Sequence, residues 1–236
     1  MTANPNISLV ASLIADPSRA TMLMTLLGGQ TLLASELARI GGITPQTASA
    51  HLAKMVDAGL LVSTTEGRNR YFRLTSPDVA HALEALAIVA KPTPIRSLRQ
   101  ANQTQALRFA RTCYDHLAGE LGVSITAQML ARGWISSNQK DYAIANSGIS
   151  AMQDLGVRVE ELNAQRRALA RQCLDWSERR YHLAGSLGQA LATRFFELGW
   201  LQKQEGMRSV TVTEVGAEGL LHHFGLRIDK FSIRES

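Results

Sequence analysis

The sequence predicts a mainly α-helical chain with short β-hairpin wings, divided into two domains. Three observations carry that prediction. Apolar residues recur at helical spacing behind cap-and-proline starts, polar glycine-bearing loops separate short strand-like runs, and the second half contains a divergent internal duplication. With 236 residues, of which 45% are hydrophobic and 19% charged, the chain can fill two small cores and is not a disordered polymer.

A short apolar helix is expected over Ile7 to Ala15. Asp16-Pro17 then reads as an N-cap followed by proline at the first helical position, and Ala20, Leu23, Met24 and Leu27 continue at helical spacing to Gly28-Gly29. Another helix spans Leu33 to Ile40. After the turn at Gly41-Gly42-Ile43, Thr44-Pro45 repeats the cap-plus-proline start for a helix through Ala58. Leu60 to Ser63 and Tyr71 to Leu74 are expected strands around a polar loop, Thr64 to Arg70. Thr75 or Ser76 caps a further helix with Pro77 in its first turn and Val79, Leu83, Leu86 and Ala90 on one face.

Lys91-Pro92-Thr93-Pro94 breaks helical geometry and marks the boundary between a domain at 1–91 and one at 95–236. In the second, Cys113-Tyr114-Asp115-His116-Leu117-Ala118-Gly119, Leu121-Gly122 and Gly133-Trp134 return as Cys173-Leu174-Asp175, His182-Leu183-Ala184-Gly185, Leu187-Gly188 and Gly199-Trp200. A six-residue insertion within Trp176 to Tyr181 separates the Cys offset from the His offset. The copies fall at about 103–158 and 163–228. Each continues into a hairpin-like stretch and a helix, so the expected domain consists of two divergent helix-wing repeats. Phe109, Cys113, His116 and Leu117 fit one stripe of a helix, and the basic stretch Arg166 to Arg180 reads as a solvated helix with internal ion pairs.

The net charge of +5 suits an anionic partner without naming one. Two cysteines are too few for a disulfide framework. No run is long and apolar enough for a membrane span, and the start lacks a signal-peptide pattern, so a cytoplasmic protein without membrane contact is expected. No Gly-x-Gly-x-x-Gly, Walker or His-Glu-x-x-His motif occurs, and no catalytic residue or cofactor is assigned.

A helix, a tight turn and a second helix beginning with small polar residues is how a protein presents side chains to the DNA major groove. Here the presenting helix would offer Thr44, Gln46, Thr47, Ser49, His51 and Lys54, with Ala48, Leu52, Met55 and Val56 as its buried stripe. Gln and Ser reach base edges, whereas Thr, Ser and Lys suit phosphates. Arg68, Asn69 and Arg70 would add cationic and polar groups at the wing.

At these residues the chain resembles the ArsR/SmtB-type winged helix-turn-helix repressors. Ile14 to Arg19, Ser35-Glu36-Leu37-Ala38, Thr44 to Leu52, Asp57 to Leu61 and Gly67 to Leu74 follow the family's successive signatures over about residues 7 to 90. The resemblance implies a homodimer on a palindromic double-stranded DNA operator, released when an effector binds. It does not extend to the long C-terminal half. The family's metal-sensing positions are also unmatched: Leu33 to Leu37 holds no cysteine pair, and Asp78 and His81 lack a suitably spaced second histidine.

Cys113, His116, Cys173, Trp176 and His182 remain as a candidate effector site for a small molecule or thiophilic agent. Buried packing is the plain expectation for such cysteines. A metal site is not assigned, although Cys113, His116, Cys173 and His182 would supply two thiolates and two imidazoles if the copies face each other. Trp134 and Trp200 could join Trp176 in lining a pocket. The expected function is a sequence-specific transcriptional regulator, with a winged-helix dimerisation or protein-interaction module, or a small-molecule-modifying enzyme, as alternatives.

Overall fold

Side-chain caps set where the first helices begin. Asn6 accepts from the Leu9 amide to start α1 (Ile7–Ile14), Asp16 accepts from the Arg19 amide to start α2 (Pro17–Leu26), and Thr44 accepts from the Thr47 amide to start α4 (Pro45–Asp57). Between them, α3 (Ala34–Gly41) is closed at its start by Glu36, whose carboxylate accepts from the Leu33 amide at 2.7 Å. The computed structural model describes residues 4–164, 166–204 and 207–228 and divides into two units, Met1–Ala87 and Ile88–Ser236. The division falls within α5 (Pro77–Val89), after which residues 91–96 are irregular and exposed. The expected domains 1–91 and 95–236 include residues 1–3, 165, 205–206 and 229–236, which lie outside the described residues.

In the first unit, β2 (Leu61–Glu66) and β3 (Asn69–Leu74) form an antiparallel wing, with β1 (Leu32–Leu33) added to the outer edge of β3. The strands run further than the sequence suggested. Glu66 pairs with Asn69, leaving a two-residue turn in which Gly67 has φ +60°, a conformation that favours glycine. Met22, Leu23 and Leu26 of α2, Leu37 of α3, Leu52 and Met55 of α4 and Phe72 of β3 are all buried in this unit. Fully burying such side chains contributes roughly 1.5–3 kcal/mol each before the entropy of ordering is subtracted.

The second unit runs α6 (Leu98–Phe109), β4 (Arg111–Cys113), β5 (His116–Ala118), α7 (Gly119–Ala131), β6 (Ile135–Asn138), β7 (Asp141–Ile144), α8 (Asn146–Asp154) and α9 (Val159–Asn163). It continues with β8 (Arg171–Leu174), β9 (Tyr181–Ala184), α10 (Gly185–Glu197), β10 (Leu201–Lys203), β11 (Val210–Val212) and α11 (Glu214–Phe224). Two expectations fail here. Cys113, His116 and Leu117 lie on a tight hairpin rather than a helical stripe: Cys113 pairs with His116 across a turn whose Tyr114 has φ 60°. The basic stretch around Arg166 to Arg180 is a strand and a loop rather than a solvated helix, because its backbone pairs with the neighbouring strands.

The order hairpin, helix, hairpin, helix occurs twice, and the two runs exchange partners. Tyr142 N–H donates to Ala170 O at 2.8 Å and Gln172 N–H to Lys140 O at 3.0 Å, joining β7 to β8. Correspondingly, Val210 N–H donates to Ala110 O and Thr112 N–H to Arg208 O, both at 3.0 Å. The helices cross over as well, α7 packing on β9 and α10 on β5. Each helix also turns back closely onto its own preceding strand, and that approach requires glycine. A Cβ on Gly122 would lie 2.5 Å from Leu117 O and 3.6 Å from His182 Cβ, and one on Gly188 would lie 2.5 Å from Leu183 O and 3.3 Å from His116 Cβ.

All three tryptophans, Trp134, Trp176 and Trp200, lie in the second unit. Their fluorescence in urea therefore follows that unit's unfolding. Gly122→Ala and Gly188→Ala, which force backbone apart rather than a flexible side chain, should each lower its stability by about 1–3 kcal/mol. An unchanged midpoint for both variants would show that the close seating of each helix on its own hairpin does not constrain the fold.

Candidate nucleic-acid interface and buried Cys/His cluster

On α4, Ala48, Leu52 and Met55 are buried, which turns Gln46, Thr47, Ser49 and Lys54 to solvent. Thr44 and Thr47 are exposed but already engaged, because Thr44 Oγ1 accepts from the Thr47 amide at 3.2 Å and lies 2.9 Å from the Thr47 hydroxyl. Polar side chains and the helix N-terminus thus share one surface, a combination suited to phosphate and base-edge contacts.

His51 differs from these neighbours. It is half-buried, its Nδ1 lies 2.9 Å from Arg19, and its Nε2 is 3.9 Å from Asp16, so it ties α4 to α2. Arg68 occupies the exposed tip of the β2–β3 hairpin, with Asn69 beside it at the start of β3. Arg70 lies back along the strand, donating to Ser63 Oγ at 2.9 Å with its guanidinium 5.2 Å from the Phe72 ring.

In the second unit, the matching registers Cys113 with His116 and Cys173 with His182 put one thiol and one imidazole on each hairpin. The hairpins face each other. One donor atom from each of these four residues lies within 4.8 Å of the others, and the two Nε2 atoms are 3.1 Å apart. Cys113, His116 and His182 are buried, whereas Cys173 is half-buried.

Each imidazole has a carboxylate behind it. Asp115 Oδ1 is 3.2 Å from His116 Nδ1, and Asp175 Oδ2 is 3.4 Å from His182 Nδ1, within ion-pair reach although off hydrogen-bond alignment. Asp115 is paired with Arg167, and Asp175 accepts from the fully buried Arg111 at 2.8 Å and from the Gly119 amide at 2.6 Å. Burial would raise both carboxyl pKa values, but these partners outweigh it: Asp115 is lowered to about 2, with His116 and Arg167 responsible, and Asp175 lies well below the ordinary range through His182, Arg111 and Gly119. Burial likewise opposes charging of the imidazoles. It is outweighed at His116 by Cys113 and Asp115 and at His182 by Asp175 and Cys113, so both pKa values are raised.

The sequence reading brought the Cys and His residues together but missed their supports, Arg111, Arg167, Asp115 and Asp175. The repeated Cys-x-Asp motif was the available signal. The tryptophans spend their surfaces on neighbours: Trp176 covers the Arg111 guanidinium at 4.6 Å, Trp200 stacks on Phe195 at 5.0 Å, and Trp134 meets Phe224 edge-on at 5.9 Å. The cavity between Leu117, Gly122, Thr126, Leu183 and Gly188 holds about 20 Å³, the room of about one water molecule.

Comparison with known proteins places the first unit's features in a wider group. A helix-turn-helix domain family matches residues 14–64. The HTH-type transcriptional regulator YdfF of Bacillus subtilis (strain 168) is 39% identical over 225 residues, covering 95% of this chain and 100% of that protein. Among solved structures, the cadmium metal-sensor CmtR from Mycobacterium tuberculosis is 30% identical with a TM-score of 0.30, covering 39% of this chain and 99% of that one. NolR from Sinorhizobium fredii is 21% identical with a TM-score of 0.34, covering 39% of this chain and 100% of its own.

The buried ion pairs generate a prediction for the second unit. Asp175→Ala leaves Arg111 buried without its counter-charge and should cost roughly 3–5 kcal/mol by tryptophan-monitored denaturation. Because both aspartates have depressed folded pKa values, their stabilisation is present above the ordinary carboxyl pKa of 3.8 and is lost as pH falls towards Asp115's value of about 2. The wild-type urea midpoint should therefore drop across that acid window, and a flat midpoint there would contradict the assignment.

Proposed function

We propose, from the premise that this chain belongs to the ArsR/SmtB-type helix-turn-helix transcriptional regulators, that it is a dimeric repressor whose α4 reads a palindromic operator. Its relatives are DNA-binding regulators rather than enzymes. The carrying observation is the exposed face of α4, where Gln46, Thr47, Ser49 and Lys54 stand opposite the buried Ala48, Leu52 and Met55. Gln46 and Ser49 contact base edges, Lys54 and Thr47 contact phosphates, Thr44 caps the entering helix, and Arg68 with Asn69 follows the backbone or minor groove from the wing. Arg70 and His51 support this surface through their contacts with Ser63 and Arg19.

Residues 1–91 form the DNA-binding and dimerisation domain in this reading, and residues 95–236 form the regulatory domain. The recurring hairpins and reciprocal backbone bonds support descent of the latter from two duplicated helix-wing units, at about 103–158 and 163–228. Its counterpart helices are spent on the core: α7 buries Leu121, Val123, Ile125 and Met129, and α10 buries Leu187, Leu191 and Phe195. An effector acting there lowers operator affinity by binding more tightly to the state with misaligned recognition helices. No helix among the described residues is long and apolar enough to cross a membrane, and a DNA partner places the regulator's work in the cytoplasm.

Two recognition helices must sit about 34 Å apart to enter successive major grooves, which makes dimerisation part of the proposal. Ile7 and Leu9 on α1 and Leu86 and Val89 on α5 are exposed in the single chain, at 74%, 48%, 46% and 78% of their surface. Such side chains are candidates for burial against a second copy. Sedimentation at micromolar concentration should give a dimer, and Leu86→Asp combined with Val89→Asp should shift it towards monomer. A wild-type monomer with and without DNA would remove this part of the reading.

Fluorescence anisotropy on DNA from upstream of the protein's own gene tests recognition. Gln46→Ala should cost about 1–3 kcal/mol on the preferred site and relax base preference there. Lys54→Ala should weaken all sequences alike and flatten the salt dependence. Unchanged affinity and preference in both variants would remove α4 from the interface.

A further inference from the structure

Two carboxylates define the chemistry of the Cys/His cluster. A carboxylate only accepts, so Asp115 facing Nδ1 of His116 and Asp175 facing Nδ1 of His182 both favour the ring proton on Nδ1. In the neutral rings, both Nε2 atoms then carry lone pairs. These lone pairs point at each other across 3.1 Å in a buried site, flanked by two thiols. Two neutral acceptors at that separation repel, and either a proton shared between the rings or a cation held between them relieves the contact; the two flanking thiols select the cation.

We infer that Cys113, His116, Cys173 and His182 bind one thiophilic divalent metal ion, of the zinc class, in a four-coordinate site that clamps the two hairpins together. Bond lengths of about 2.0–2.1 Å to nitrogen and 2.3 Å to sulfur put the donors of a tetrahedral centre roughly 3.3–3.8 Å apart. The present spread, within 4.8 Å, closes to that geometry by small side-chain rotations. Two thiolates and two imidazoles suit zinc by softness and by geometry.

The surroundings fit the ion. Carboxylate-backed imidazoles are the usual supporting arrangement for metal-bound histidine, fixing the tautomer and the ring orientation. The charges balance as well: Arg167 neutralises Asp115, Arg111 neutralises Asp175, and the dication neutralises two thiolates. Binding releases the two thiol protons to solvent. Because all four donors come from the protein, the site has no open position for a substrate.

The test uses the full-length, reduced, chelator-stripped protein with cobalt(II) as probe, and its readouts involve no DNA. One cobalt per chain should bind, giving the intense visible bands of a tetrahedral ion and thiolate-to-metal charge transfer, both erased by stoichiometric zinc. Cys113→Ser and Cys173→Ser should each weaken the charge-transfer band, while Asp115→Asn, which keeps all four donors, should lower metal affinity about 10- to 100-fold. Should these variants unfold, the wild type still decides: zinc should slow alkylation of both cysteines and a chelator should restore it. A folded wild-type protein that binds no cobalt, binds it with the weak spectrum of an octahedral ion, or, when a disulfide oxidant such as oxidised glutathione is added, forms a Cys113–Cys173 disulfide at a rate zinc does not alter overturns the inference.

Discussion

The second unit depends on a carboxylate with almost no access to water. Asp175 accepts from Arg111 and the Gly119 amide through one oxygen and from Ser177 and the Glu178 amide through the other. A single charge thereby fixes the loop between β8 and β9, the first turn of α7 and the guanidinium lying against Trp176. Burying that charge is costly, and only the completeness of its hydrogen bonding makes the arrangement stable. Asp175 also stands 3.4 Å from His182 Nδ1, so the same carboxylate bears on the imidazole that faces the other hairpin.

The two units put a similar sequence grammar to opposite uses. In the first, a capped helix leaves its polar N-terminal face in solvent and the wing extends a cation beyond it. In the second, α7 and α10 are followed by comparable hairpins, but their apolar faces meet the facing hairpin and its partner helix. Small polar residues keep a helix available to an outside partner, whereas Leu, Ile and Phe commit it to the interior. The exposed polar face and the structural core are thus separated by the composition of single helices.

Local signals were legible where the physics is local. Asp16-Pro17 and Thr44-Pro45 mark helix starts because a side-chain oxygen and a fixed φ act within one turn. The wing at 61–74 was visible from its alternating strands and polar loop. β1 was not, since two residues carry no periodicity and its pairing with Phe72 and Tyr71 is made from a distance. Cys113 and His116 were misplaced on a helix because a spacing of three suits a helical turn and a two-residue hairpin alike, and the φ of Tyr114 that separates them leaves no mark in composition. The Asp supports were present in a repeated Cys-x-Asp motif. Their role needed partners such as Arg111 and Gly119, brought in from 64 and 56 residues away.

The reciprocal exchange between the two runs of the second unit sets the order in which the chain can acquire structure. The first unit is built largely from neighbouring helices and one tight hairpin, contacts that close quickly as the chain emerges during synthesis. The second cannot proceed that way. The bonds of Ala110 and Thr112 wait for Val210 and Arg208, and Gly188 must arrive before the hairpin carrying His116 is covered. Until then the emerging polypeptide exposes apolar surface and unsatisfied strand edges, so nascent chains stalled before residue 208 are the species most open to aggregation and chaperone capture.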